Sequence, residues 1–185
     1  MSEYLIREEQ MKELADIIRE KFGFGFEDAD LYLLTNRDKL ALTSLPEGIT
    51  SIGNSAFYNC TNLSLTSLPE GITSIGNDAF SNCPNLALTA LPEGVTRIGR
   101  NAFSWCGNLT CISLPASLTN IDKFAFYGCY RLISLTFKGT PTTIYNDSFS
   151  KCTNLTTINV PWAEGAVANA PWGATNATIN YNFGG

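Results

Sequence analysis

The stretch "LPEGITSIGNSAFYNCTNL" from Leu45 to Leu63 returns as "LPEGITSIGNDAFSNCPNL" from Leu68 to Leu86, a step of 23 residues. No other feature constrains the fold as much, because a unit this short must bury its apolar side against copies of itself. The step sorts the apolar residues into columns. Cys60, Cys83, Cys106, Cys129 and Cys152 share one, and Phe57, Phe80, Phe103, Phe126 and Phe149 another. Ile52, Ile75, Ile98, Ile121 and Ile144 make a third, and Leu40, Leu63, Leu86, Leu109, Leu132 and Leu155 a fourth. A fifth runs Leu45, Leu68, Leu91, Leu114, Phe137, Val160. One copy holds too few of these side chains to offset the entropy of ordering its backbone, so a single copy does not fold alone. Stacked copies share walls and pair their strands, which makes a solenoid.

Within a copy, "LTCISLP" and "LTTINVP" alternate well enough to form a short strand, which proline ends. "PEG" then supplies a turn, "ITSIG" a second short extended run, and "NSAFYNC" a tight turn that drives Phe and Cys inward. Successive copies are expected roughly 4.8 Å apart, the strand spacing of a sheet.

Both ends continue the register in degraded form. The 23-residue step places Val167 in the Ile slot, Trp172 in the Phe slot, Tyr181 opposite Ile158 and Phe183 opposite Val160. "DLYLLTNRDKL" reads as a half copy, and Met11, Leu14, Ala15, Ile18 and Phe22 form an apolar helical stripe that stops at Gly23. The expected organisation is an amphipathic helix and half-repeat cap over 1–39, five full repeats and a sixth strand over 40–161, and a C-terminal cap over 162–185.

Wording, period and column chemistry ("LTSLPEGITSIGNSAFYNCTNL") resemble the BspA-type leucine-rich repeat family over about residues 40 to 161. The resemblance implies a right-handed solenoid with one parallel sheet along a face. With the helix included, the expected class is an α+β repeat protein carrying an N-terminal capping helix.

Net charge is −5 and more than half of the charged residues precede Leu40, so the repeats lack the basic face that nucleic acid or anionic membrane needs. The chain has no histidine, which removes the commonest general base and most zinc sites. The N-terminus is too charged for a signal peptide, and no run of apolar residues is long enough to span a membrane. No cofactor or metal is expected, and no catalytic residue is assigned.

Two columns invite a chemical reading. The cysteines, stacked in register, sit too far apart at Cβ for bridges and lack the paired spacing of a metal site, so they read as small buried residues. Glu47, Glu70 and Glu93 could suggest the paired carboxylates of a glycosidase. Each sits in "LPEG" at an exposed turn tip, and the fourth copy has Ala116 there, so a turn role explains them.

One strand feature bears on binding. The early copies read Leu42-Thr43, Leu65-Thr66 and Leu88-Thr89, while the later ones read Cys111-Ile112, Ser134-Leu135 and Thr157-Ile158. The apolar residue has moved by one position, and a one-residue slip turns a side chain to the opposite face. Leu42, Leu65 and Leu88 therefore either sit inside through a local bulge, which is the preferred reading, or form an exposed strip. With Ser44, Ser67 and Ala90 beside them, they mark the candidate partner-binding face. The expected partner is a protein or a cell-surface glycan. The opening segment and the ending "VPWAEGAVANAPWGATNATINYN" are similar to tail structural proteins of Firmicute phages and prophages, which implies a particle-associated recognition module. The alternative implied by the repeats is a BspA-type surface adhesin that binds host proteins. Without a signal peptide or anchor, the particle or the cytoplasm is the expected location.

Overall fold

A computed structural model describes residues 41–45 and 47–184. They form a parallel β-solenoid of about six turns in which every strand pairs with its counterpart in the next turn. Nine short strands occur among the described residues: β1 (Ser51–Ile52), β2 (Ser74–Ile75), β3 (Arg97–Ile98), β4 (Cys111–Leu114), β5 (Asn120–Ile121), β6 (Ser134–Phe137), β7 (Thr143–Ile144), β8 (Thr157–Asn159) and β9 (Thr178–Asn180). They make two sheets, one ordered β1-β2-β3-β5-β7 and one ordered β4-β6-β8-β9.

This corrects the expected class. The described residues contain no helix, so they are all-β rather than α+β, and they carry two parallel sheets instead of one. The helix read over Met11 to Phe22 lies outside the described residues.

Register holds the 23-residue step. Ser51 pairs with Ser74, Ser74 with Arg97, Arg97 with Asn120 and Asn120 with Thr143. The same step recurs in the side chains, where Thr73, Thr96 and Thr119 each donate their hydroxyl to the carbonyl of the threonine one turn earlier, at 3.1, 3.1 and 2.9 Å. Turns approach so closely after these strands that a Cβ on Gly76 would fall 2.7 Å from the backbone nitrogen of Asn54. Glycine is required there by space.

The last turn breaks the step. Thr157 pairs with Thr178 and Ile158 with Ile179, an offset of 178 − 157 = 21 residues. Tyr181 therefore does not lie opposite Ile158, as the uniform step predicts. Trp172 is buried as expected, but it packs at a tilt to Trp162 and Phe137, with ring centroids 6.5 and 6.0 Å away. An indole is broader than the phenyl ring it replaces, and the final turn closes around it with fewer residues.

The core is the set of columns. Phe57, Phe80, Phe103, Phe126 and Phe149 stack with centroids 5.1–5.4 Å apart and ring planes within 13° of parallel. Beside them the thiols of Cys83, Cys106, Cys129 and Cys152 donate to the carbonyls of Phe57, Phe80, Phe103 and Phe126 at 2.9–3.1 Å. Each thiol thus satisfies a buried acceptor in the turn before it.

Candidate functional site

The strand face divides along the chain. In the later turns β4, β6 and β8 alternate, placing Ile112, Leu135 and Ile158 inside and Ser113, Thr136 and Asn159 half-buried on the outer side. In the first three turns the equivalent segments form no strand and bend at Thr43, Thr66 and Thr89. A strand can bury residues two apart but not three apart. Leu65 and Leu68 are both in the core and are three apart, so the chain bends between them. The same holds for Leu42 with Leu45 and Leu88 with Leu91.

The six residues read as a partner face are therefore split. Leu42, Leu65 and Leu88 are core residues, 1%, 0% and 1% exposed, so they underlie the face and present nothing on it. Ser44, Ser67 and Ala90 are exposed above them. Ala90 bridges to Ser113, which joins the early face to the later sheet. Further along, Asn159 Nδ2 donates to Thr136 Oγ1 at 3.2 Å and Asn180 Nδ2 to Asn159 Oδ1 at 2.8 Å. The result is a row of small side chains, all polar except Ala90 among the early ones.

The cysteine and glutamate columns lie in opposite settings. None of the six cysteines forms a disulfide; the five column members are buried and Cys111 is exposed. Burial, and after it the neighbouring Cys83, pushes the Cys106 thiol well above its ordinary value, and burial does the same to Cys129. A thiol held protonated is a poor nucleophile. Glu47, Glu70 and Glu93 are exposed at their turns. Glu93 accepts a hydrogen bond from Lys138 two turns on, which holds its carboxyl below the usual range, the opposite of a general acid. Among the described residues no group of three or more Cys, Asp or Glu side chains could hold a metal ion, and no helix is long and apolar enough to cross a membrane.

A second surface feature was missed in the sequence. A trough of about 670 Å³ opens among the turns that follow the two-residue strands, with Tyr58 at one end and Tyr127 at the other. Its signal was present in the columns, where Trp105 stands in a slot that other copies fill with Asn59, Asn82, Gly128 and Lys151, and Phe124 in one filled by Ser55, Asp78, Asn101 and Asp147.

A uniform step, parallel register and a continuous apolar column set define a leucine-rich-repeat solenoid. The BspA type leucine rich repeat region matches residues 30–156 in six copies, and the chain belongs to that family. Its coil is similar to the pneumococcal vaccine antigen PcpA, with a TM-score of 0.59 at 21% identity over 75% of this chain and 35% of that one. A leucine-rich cell-surface protein of Faecalibacterium prausnitzii is 31% identical over 60% of this chain and 36% of that one, with a TM-score of 0.47. A leucine-rich repeat protein of T. pallidum is 28% identical over 64% and 68%, with a TM-score of 0.44. The chain thus spans about a third of the length of the first two. No curated protein matches it. Proteins of this repeat family and fold are typically non-enzymatic binding or structural modules.

Proposed function

We propose that the chain is a non-enzymatic recognition module that docks a macromolecule on its strand face. The observation that carries this reading is the outward row from Ser44, Ser67 and Ala90 to Ser113, Thr136 and Asn159, with buried leucines and isoleucines beside it. Small side chains at a fixed step offer a broad, shallow surface, suited to an extended partner and too open to hold a small molecule.

Two settings fit this module. The wording of the two terminal segments, which resembles phage and prophage tail proteins, is the ground for a particle-associated role; none of the similar proteins named above adds to it. Membership of the BspA-type family supports a bacterial surface role in which the face meets host proteins. Antibodies against the chain separate them: labelling of induced particles supports the first, and labelling of intact cells the second.

The docking face is tested with Ser67→Arg and Ala90→Arg, which add bulk where the ladder is exposed. Captured species from bacterial envelope and mucosal extracts should be lost in the double variant and kept in Glu70→Gln. Retention of every species by the double variant overturns the strand face as the site.

A further inference from the structure

The trough is a second site, separate from the strand face. The repeat supplies its own reference for how this region is built. The column that starts at Tyr58 continues Ser81, Ser104, Tyr127. Ser81 and Ser104 are buried, so the surface drops between two tyrosines. Three turns at roughly 4.8 Å each set those tyrosines about 14 Å apart. The trough is open to solvent, and its volume of about 670 Å³ falls in the range of ligand-binding clefts.

The walls depart from the repeat at the same place. Asn59, Asn82, Trp105, Gly128 and Lys151 occupy one left-handed column, with φ of 65, 59, 61, 69 and 59°. Ser55, Asp78, Asn101 and Phe124 occupy another, with φ of 56, 54, 54 and 60°. Asparagine and glycine adopt this backbone readily, whereas a bulky aromatic residue there is strained. Trp105 and Phe124 share this strained backbone with Lys151 and with Trp172 in the cap, so the strain alone marks no site; what sets the two apart is that both rings line the trough. The rings are also seated. Trp105 lies against Gly128, where an added Cβ would come within 2.8 Å of the indole. Trp105 and Phe124 both stand edge-on to Tyr127, at 5.4 Å and 79° and at 5.6 Å and 87°.

Facing these rings are a carboxylate and amides. Asn101 Nδ2 donates to Asp78 Oδ1 at 3.0 Å, which orients both groups and leaves them acceptor and donor capacity. No lysine or arginine lines the trough itself, and one cation, Lys151, lies over the Tyr127 ring at its end, 5.4 Å from the centroid. A single peripheral cation is fewer than phosphate-rich ligands or nucleic acid need. Apolar ring faces beside paired donors and acceptors match a ligand with C–H faces and hydroxyl edges. We infer that this trough binds a short neutral oligosaccharide, laid lengthwise between Tyr58 and Tyr127 with Trp105 and Phe124 against its rings.

The chain contains its own reporter. Trp105 is 46% exposed, whereas Trp162 and Trp172 are 6% and 1% exposed, so a ligand in the trough changes the emission of one tryptophan. The probes are maltotriose, cellotriose, triacetylchitotriose and mannotriose, with choline and oligo-dT as the competing aromatic-seeking ligands. A saturable blue shift with at least one sugar at millimolar concentration, and none with choline or oligo-dT, is the expected result. No shift with any of the four sugars, or saturation by choline or oligo-dT, overturns the inference. Phe124→Asn and Tyr127→Ser restore residues that neighbouring copies carry and keep the reporter. Each should weaken sugar binding about tenfold or more without lowering Tm. A lowered Tm with unchanged affinity would instead assign the rings to stability. Trp105→Asn, followed by calorimetry, should abolish binding. Ser67→Arg should leave sugar affinity unchanged, which keeps this outcome distinct from that of the strand face.

Discussion

The first three turns and the later ones share the Phe, Cys, Ile and flanking Leu columns but differ by one position in the remaining core residue, and only the later ones form strands along the outer ladder. "LSLTSLP" buries Leu63, Leu65 and Leu68, while "LTCISLP" buries Leu109, Ile112 and Leu114. Each pattern contains one gap of two outward residues. In the later pattern the gap precedes the strand and leaves Ile112, Ser113 and Leu114 free to alternate as β4. In the early pattern the gap falls at Thr66 and Ser67, where the chain bends. Moving one leucine by one position thus decides whether a turn contributes to a sheet, without altering what fills the core.

The largest test of this account is Leu65→Glu. Burying a charge at a fully buried site should abolish folding or collapse the thermal transition; a stable, folded variant would show that the early leucines are not core. Next, Phe103→Ala in the central turn should cost about 3–5 kcal/mol. Leu65→Ala and Leu135→Ala, one from each region, should cost about 2–5 kcal/mol each. Denaturant titrations giving a marked difference between the two leucines would break the claim that the regions share one core.

The cysteine column crosses both regions and gives a pH test. The Cys106 and Cys129 thiols are raised by burial, while an unfolded thiol titrates near about 8.5. Above that pH the unfolded chain binds fewer protons than the folded one, so stability is full below it and falls as pH rises. The slope is at most about 1.4 kcal/mol per unit for each thiol. Denaturation midpoints followed from neutral to alkaline pH should decline, and a rise would contradict the assigned direction.

A gentler change sharpens the comparison. Exchanging each leucine with the following threonine in the first three turns (Leu42 with Thr43, Leu65 with Thr66, Leu88 with Thr89) should convert the early pattern to the later one. Stability should change by less than about 1.5 kcal/mol, while slower amide exchange at Ser67 reports the added strand. Unchanged exchange would mean that the bend has another cause. The smallest effect is expected from Glu70→Gln, within about 0.5 kcal/mol, because its turn is exposed in both patterns.

The columns were legible because a fixed step turns burial into simple arithmetic, and the strand in "LTCISLP" was legible from its alternation. The run "ITSIG" was legible as extended and holds β1, but its pairing into a second sheet was not, since β1, β2 and β3 are two residues long, too short for periodicity to register. The cap register failed at Thr178 because nothing in the repeat announces a turn shortened to fit Trp172. Of the candidate face, Ser44, Ser67 and Ala90 were placed at the surface correctly, and burial was the preferred reading of their leucine neighbours. The trough was not legible because Trp105 and Phe124 stand in slots that the apolar columns do not constrain. Their meaning depends on a left-handed backbone at each slot, which the columns show only once φ is known.

The uniform register has a mechanical consequence. The hydrogen bonds between turns run along the axis of the coil, so tension applied at its two ends loads them one turn at a time, as a zipper is loaded. Each turn that peels away frees 23 residues, the offset between Ser51 and Ser74. At about 3.3–3.6 Å per residue that adds roughly 80 Å of slack for the loss of one layer, while the layers behind it keep their packing. Under load such a coil lengthens in equal steps, and a partner held on the turns still wound is not released.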